Sequence, residues 1–261
     1  MPAQLQAARE GQTLVLTLSN PELRNAIDPA MYAAGIEALN VAESSAEVRS
    51  VVITGAAGVF CSGGNLLRLQ ASRQADPQVQ AQSIEGLHSW IETIRTFPKP
   101  VIAAVEGAAA GAGFSLALAC DLVVAARNAV FVMAYSNVAL SPDGGASWSL
   151  SQALPRQLAT EILMCGDRLT AQRLHDLGIV NRVVPAAELE AETLKVATQL
   201  AASAPLALRA TLDVVNIGGE CGIEEGLQYE TAQFGLMFAT DDMREGTRAF
   251  LERRKPGFSG R

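Results

Sequence analysis

From Pro100 to Ala126 the chain reads PVIAAVEGAAAGAGFSLALACDLVVAA, and only Glu106 and Asp121 carry charge in it. Few folds can hold such a stretch. Its longest apolar run, Gly107 to Cys120, is shorter than the ~20 residues a bilayer requires, so it has to be buried within protein. PVIAAV and DLVVAA have the length and punctuation of buried strands, and GAGFSLALA between them reads as a helix opening on Gly111. Strands that are apolar on both faces belong to a mostly parallel sheet covered on both sides.

The same alternation runs through the first ~190 residues and predicts an α/β domain. TLVLTL (13 to 18) predicts a strand, and Asp28-Pro29 supplies an N-cap and first-turn proline for a helix to about Glu43. SVVITG (50 to 55) is a β-branched run ended by glycine. A loop with Gly63 and Gly64 follows, then two helical stretches, the second around residues 78 to 96. From Pro185 the character changes. Alanine and leucine at helical spacing, punctuated by Pro205, Gly218-Gly219 and Asp241, predict three or four helices and no strand. The apolar faces of that tail need a partner surface.

Composition narrows the function classes. The chain has 49% hydrophobic and 18% charged residues, as a core-forming protein does. A formal net charge of -7 over 261 residues argues against a nucleic-acid or anionic-membrane partner, each of which needs a concentrated basic face. Cys61, Cys120, Cys165 and Cys221 lie far apart, and His88 and His175 are the only imidazoles. That set predicts reduced thiols in a cytoplasmic protein and no metal site. The amino-terminal MPAQLQAAREGQ lacks the apolar segment of a signal peptide.

Two glycine-bearing loops, FCSGGNL (60 to 66) and EGAAAGAGFSL (106 to 116), each follow a strand and enter a helix. Each presents backbone N–H groups at a helix N-terminus, and two such loops facing one another make an oxyanion hole. The alternative is that the glycines only permit tight turns and close packing. Leu116 stands where a dinucleotide fingerprint needs its third glycine, so a nucleotide site is disfavoured. No G-x-S-x-G elbow exists. His88, beside Trp90 and Ile91 on a predicted helix, reads as a packing or surface residue, and Tyr135 as a core or pocket-wall aromatic. Arg253, Arg254 and Lys255 read as a solvated face able to meet phosphate if the tail folds over a site. Asp143, between Pro142 and Gly144-Gly145, either caps a helix running through Ser147, Trp148 and Leu150 or faces something reactive.

Taken together, LRNAID, FCSGGNL, EGAAAGAGFSLALACDLVVAA, SPDGG, GDRLTAQRLHDLGIVNRVV and REGTRAFLERRKPGF resemble the crotonase (enoyl-CoA hydratase/isomerase) superfamily over essentially the whole chain. The resemblance implies a crotonase-like spiral of ββα units binding an acyl-CoA thioester. It also implies a C-terminal helical region that builds homotrimers, often paired into hexamers. On this reading residues 1–200 are the catalytic core and 201–261 the region for oligomerisation. Coenzyme A enters as part of the substrate, and no separate cofactor is implied. The thioester oxygen would be held by the N–H groups of Gly64 and Ala112. Ser62, Gly63, Asn65 and Leu66 of the first loop, and Tyr135, would line the substrate. Arg24, Asn25 and Ala26 match the CoA-binding stretch, and Arg253 a basic residue that serves a neighbouring subunit's CoA.

Hydratases of the family carry two glutamates where this chain has Ser115 and Tyr135, and neither replacement is a carboxylate base. Asp143 instead matches the carboxylate of the family's enoyl-CoA isomerases, especially the ring-expanding branch of phenylacetate degradation. One base suits an isomerase, because it can remove a proton at one carbon and return it at another. The expectation is therefore an acyl-CoA isomerase acting through a thioester enolate, with Gly64 and Ala112 as donors and Asp143 as base. The rivals are a hydratase, hydrolase or dehalogenase using Asp143, the last with His88, and a non-catalytic acyl-CoA-binding protein in which Asp143 is only a helix cap.

Overall fold

A computed structural model describes residues 3–73 and 77–261. Its strands are β1 (Gln4–Glu10), β2 (Thr13–Ser19), β3 (Ser50–Gly55), β4 (Val101–Val105), β5 (Ala108–Ala110), β6 (Leu122–Ala126), β7 (Val130–Val132), β8 (Leu169–Thr170) and β9 (Arg182–Val184). Its helices are α1 (Pro29–Ser44), α2 (Leu66–Ser72), α3 (Pro77–Arg95), α4 (Ala112–Ala119), α5 (Ala146–Ala153), α6 (Arg156–Cys165), α7 (Ala171–Asp176), α8 (Leu189–Ala201), α9 (Pro205–Gly218), α10 (Ile223–Phe238) and α11 (Asp241–Leu251).

Six strands form one sheet in the order β1-β2-β3-β4-β6-β9, parallel throughout except for the antiparallel β1–β2 pair. The side-chain period of two explains why its central strands are apolar at every position. Val51, Ile53, Val101, Ala103, Val105, Val123 and Ala125 enter the main core, packed under α1, α3 and α4. The alternating residues Val52, Ile102, Ala104, Val124 and Ala126 form a smaller core with Leu189, Val196 and Ala197 of α8. One helix of the C-terminal part thus closes the second face of the sheet.

A second stack runs beside the first. β5 pairs with β7, and β7 with β8, while Cys61 bridges to Ala109 and Ile27 to Gly64. Each turn of chain gives one strand to the large sheet, one short strand or bridge to the stack, and then a helix. The result is a spiral of ββα units, and the stack carries both glycine loops to the same end of the molecule.

The expected N-cap at Asp28 is present, its Oδ1 accepting from Met31 N–H at 3.1 Å. From Pro185 onward the described residues form four α-helices and no strand. No single helix is long and apolar enough to cross a membrane. The antiparallel edge strand β1 is not anticipated from sequence, for its residues are almost all exposed and carry no apolar alternation.

The α1–α3 contact sets up a stability prediction. Gly35 of α1 lies flat against the buried Trp90 of α3, where an added Cβ would stand 2.2 Å from the indole. Alanine normally gains up to ~1 kcal/mol over glycine within a helix. Here the clash decides the sign. Gly35→Ala is expected to lower stability by about 2 kcal/mol, the usual scale of core overpacking. The check is a urea midpoint that falls while the slope holds.

Candidate active site

The two glycine loops are held together by backbone. Cys61 N–H donates to Ala108 C=O and Ala110 N–H to Cys61 C=O, each at 2.9 Å. Gly113 stands so close to this rung that a Cβ there would lie 2.5 Å from the Cys61 carbonyl oxygen and 2.8 Å from its Sγ. A Cβ on Gly63 would lie 2.7 Å from Ala110 O and 3.7 Å from Ala112 N. Neither Gly64 N–H nor Ala112 N–H donates to any backbone acceptor among the described residues. Ala112 opens α4, so its N–H is one of that helix's unsatisfied first-turn donors, with the positive end of the helix behind it. The loops therefore leave two free donors in adjoining turns, the layout an oxyanion requires.

Asp143 reaches the same region from the segment before α5. Its carboxylate is not a helix cap. α5 starts at Ala146, with Gly145 in the capping position at φ 74° and no side-chain cap. The cap expectation fails because Gly144 and Gly145 both adopt left-handed conformations, turning the chain so that the Asp143 side chain points away from the helix. Instead Tyr135 Oη–H donates to Asp143 Oδ1 at 2.5 Å, and Ser115 Oγ–H donates to the Asp143 carbonyl at 2.9 Å. Positions 115 and 135, which lack the carboxylates of a two-glutamate site, thus both serve to hold the third. Tyr135 is buried and Asp143 half-buried.

Burial pushes the Asp143 carboxyl above the ordinary aspartate range, opposed by the Tyr135 hydrogen bond and by nearby His88. Burial, then the Asp143 charge, raises the Tyr135 phenol, which stays protonated as the donor. A carboxylate made more basic by partial desolvation, and fixed through one oxygen, leaves the other oxygen to take a proton. His88 is exposed, and its side chain makes no hydrogen bond among the described residues. His175 is committed elsewhere, its Nδ1 2.8 Å from Val180 O.

Were Asp143 to act as a base, its working form would be the carboxylate, and activity would fall as pH drops through its pKa. Tyr135 donation favours that form. Tyr135→Phe is therefore expected to move the acid limb of kcat/KM to higher pH, a shift read from a pH–rate profile on the true substrate.

The other sequence-predicted residues divide. Arg24 is exposed, in a left-handed conformation at φ 53°, and its guanidinium has no partner among the described residues. Arg253 is similarly exposed and free, while Arg254 beside it pairs with Glu245 and Glu252. The resemblance gives Asn25 and Ala26 a role through backbone, and the Asn25 side chain is occupied within the protein. It is fully buried, accepting from Asn20 N–H and donating to the carbonyls of Ala56 and Val59. Ala26 is also buried, its carbonyl taken by the Asn20 side chain. Ser62 donates its hydroxyl to Leu23 O at 2.8 Å, and Asn65 caps α2 by accepting from Arg68 N–H at 3.0 Å. These side chains build the loop rather than face its contents. Leu66 is 56% exposed at the start of α2.

Sequence reasoning missed Tyr32. It lies on the buried face of α1, and burial and the Asp143 charge both raise its phenol. No local pattern marks it. A separate recess of about 530 Å³ lies between the ends of α4, α5 and α9. It contains Asp121, which burial raises to about 6 and whose Oδ2 accepts Val101 N–H at 2.7 Å, but none of the groups above. Asp121 acts there as a fastener of β4.

The profile of the enoyl-CoA hydratase/isomerase family matches residues 8–261. Among solved structures, that of an enoyl-CoA hydratase from Polaromonas sp. JS666 agrees with a TM-score of 0.96 at 60% identity, over 97% of this chain and 99% of its own. Among named relatives, the 2,3-dehydroadipyl-CoA hydratase of Escherichia coli (strain K12) is 33% identical over 99% of this chain and 100% of its own. The 1,2-epoxyphenylacetyl-CoA isomerase of the same strain is 34% identical over 97% of each.

Proposed function

Because the chain belongs to the enoyl-CoA hydratase/isomerase family, we propose that this enzyme is an acyl-CoA isomerase, shifting a double bond or rearranging a strained ring through a thioester enolate. The observation that carries the reading is the single carboxylate held by Tyr135 at 2.5 Å. The other groups around it, Ser115, Tyr135 and His88, bring no second carboxylate. The names of the two Escherichia coli relatives do not choose between outcomes, since hydratase and isomerase occur at nearly equal identity.

In this mechanism the thioester oxygen sits between Gly64 N–H and Ala112 N–H. Asp143 takes a proton from carbon, the C–H electron pair moves into the conjugated enolate, and negative charge gathers on the held oxygen. The carboxylic acid so formed returns the same proton to another carbon of the enolate, and the electrons flow back from oxygen. No water is consumed. Arg24 and Arg253 supply positive charge for the CoA phosphates, Arg253 toward a neighbouring subunit.

The test is mass spectrometry of enoyl-CoA substrates turned over in deuterated water. An isomerase yields product of substrate composition, with deuterium only at the carbons that exchange. A second reading, hydration with Asp143 activating water, is favoured by the name of the 60% identical Polaromonas protein. A product heavier by one water would establish it and reject the isomerase.

The proposal includes a homotrimer or a pair of trimers. Ile223, Phe234 and Phe238 of α10 and Phe250 and Leu251 at the end of α11 are each at least 60% exposed in the single chain, a large apolar area for a monomer to leave in water. Light scattering at micromolar concentration is expected to give three or six chains per particle. An active monomer would reject the assembly.

A further inference from the structure

The face of the sheet closed by α8 holds a cavity of about 550 Å³, bounded by strands β1 to β4 and the first half of α8. Its floor follows from the strand register. Ala8, Val15 and Val52 form one row across it, and Thr17, Thr54 and Ala104 the next. Successive side chains alternate between faces, so Glu10, two residues after Ala8, and Glu106, two after Ala104, come to the same side and line the cavity. They stand at opposite ends. Glu10 pairs with Thr13 where β2 begins, and Glu106 follows the last residue of β4, which runs parallel to β3 and so to β2. Ser50 Oγ–H donates to Ala197 O and the Arg49 guanidinium to Ala201 O, so α8 runs back against β3 and brings Glu190 of its first turn to the Glu106 end.

No lysine or arginine lines the cavity, and none of the three carboxylates forms a hydrogen bond or ion pair among the described residues. Glu190 gains from the helix dipole, whereas Glu10 and Glu106 have no such compensation. Thr193 is an independent pointer to a ligand. It shares the buried stripe of α8 with Leu189, Val196 and Ala197, which pack on this face of the sheet, and it lines the cavity. The residue is 1% exposed, and its Oγ1 has no hydrogen-bond partner. A buried hydroxyl left unpaired is costly, and a donor entering the cavity would satisfy it. The carboxylates do not converge, for among the described residues no three acidic, cysteine or histidine side chains are placed to hold one metal ion. Their charge calls for an elongated cation with an apolar body.

We propose that this cavity is a binding site for a linear aliphatic polyamine. One ammonium end meets Glu106 and Glu190, the other meets Glu10, the methylenes lie over Val15, Val52 and Ala104, and an N–H donates to Thr193 Oγ1. None of these residues belongs to the group formed by Gly64, Ala112 and Asp143, so the inference stands apart from the acyl-CoA reading.

Calorimetric titration of the full chain with α,ω-diaminoalkanes of increasing length tests the site, with α,ω-diols of the same lengths as neutral counterparts. Saturable binding of one ligand per chain is expected. At the length that spans the cavity, the diamine should bind at least ~10-fold tighter than its diol, the scale of one charge-assisted hydrogen bond. Glu106→Gln and Glu10→Gln should each weaken the diamine, while Glu225→Gln, the same charge change on the exposed start of α10, should not. Thr193→Val removes an acceptor without changing the shape of the residue. It is expected to raise the melting temperature of the free protein, because the unpaired hydroxyl is gone, and to lower diamine affinity. A threonine with only a structural role would move the melting temperature alone. Absence of saturable binding, or a diol as tight as its diamine, would overturn the site. So would an equal loss in Glu225→Gln, which marks attraction to net charge, or an affinity that Glu106→Gln leaves unaltered, a result that does not depend on how well the Thr193 variant folds.

Discussion

Asp143→Asn is expected to lower kcat by a factor on the order of 10² to 10⁴, the range a positioned general base contributes. The substitution is nearly isosteric, and the amide oxygen still accepts the Tyr135 hydroxyl. The Ser115 contact is to the main-chain carbonyl and does not depend on the side chain. Melting temperature, oligomeric state and affinity for unreactive thioesters should therefore stay close to those of the unaltered protein. What is lost is the capacity to carry a proton between two carbons. Since α5 does not use Asp143 as a cap, Asp143→Ala costs no capping energy, but it strands the buried Tyr135 hydroxyl without an acceptor. The asparagine variant is thus the cleaner probe. Near-normal turnover by folded Asp143→Asn protein would remove Asp143 from the chemistry.

Ala112→Pro removes one of the two proposed oxygen donors, and a loss of ~3 kcal/mol in transition-state stabilisation is expected, about 10²-fold in kcat. The first helical position is where proline is best tolerated. The residue before it is suitable too. Gly111, at φ 50° and ψ -122°, is in the mirror image of the polyproline region, the kind of extended conformation that a residue preceding proline adopts. The helix can therefore survive while the donor does not. Circular dichroism and the melting curve report on the fold, and single-turnover kinetics on the barrier. A folded variant with unaltered turnover would show that the thioester oxygen lies elsewhere.

The parts of this architecture legible in sequence are those in which each residue obeys one local rule. SVVITG becomes β3 over the expected residues because a strand buried on both faces is apolar at every step. α1 begins where Asp28-Pro29 places it. The loops around Gly63 and Gly111 are legible because strand–glycine–helix is a local pattern. Illegible elements depend on partners. β5, β7 and β8 are two or three residues long and exist only as rungs of the second stack. Asn25 reads as a loop amide until Ala56 and Val59 come to it through folding. The Tyr135–Asp143 contact spans a turn that includes the left-handed Ala139, and Asp143 alone reads equally well as a cap.

The close fit of Gly113 against Cys61 bears on how such a chain can change over generations. Both proposed oxygen-binding groups belong to the main chain, and every amino acid except proline supplies an N–H. Most single-codon changes at positions 64 and 112 therefore leave the donors in place. The distance between them is guarded by the backbone rung at Cys61 and by the missing side chain at Gly113. Neutral drift can rewrite much of the surrounding sequence without touching these two donors. Positions 115, 135 and 143 are different, because what they contribute is entirely side chain. On the proposed reading, a lineage carrying this scaffold can exchange one reaction for another at those three positions while inheriting the two backbone donors unchanged.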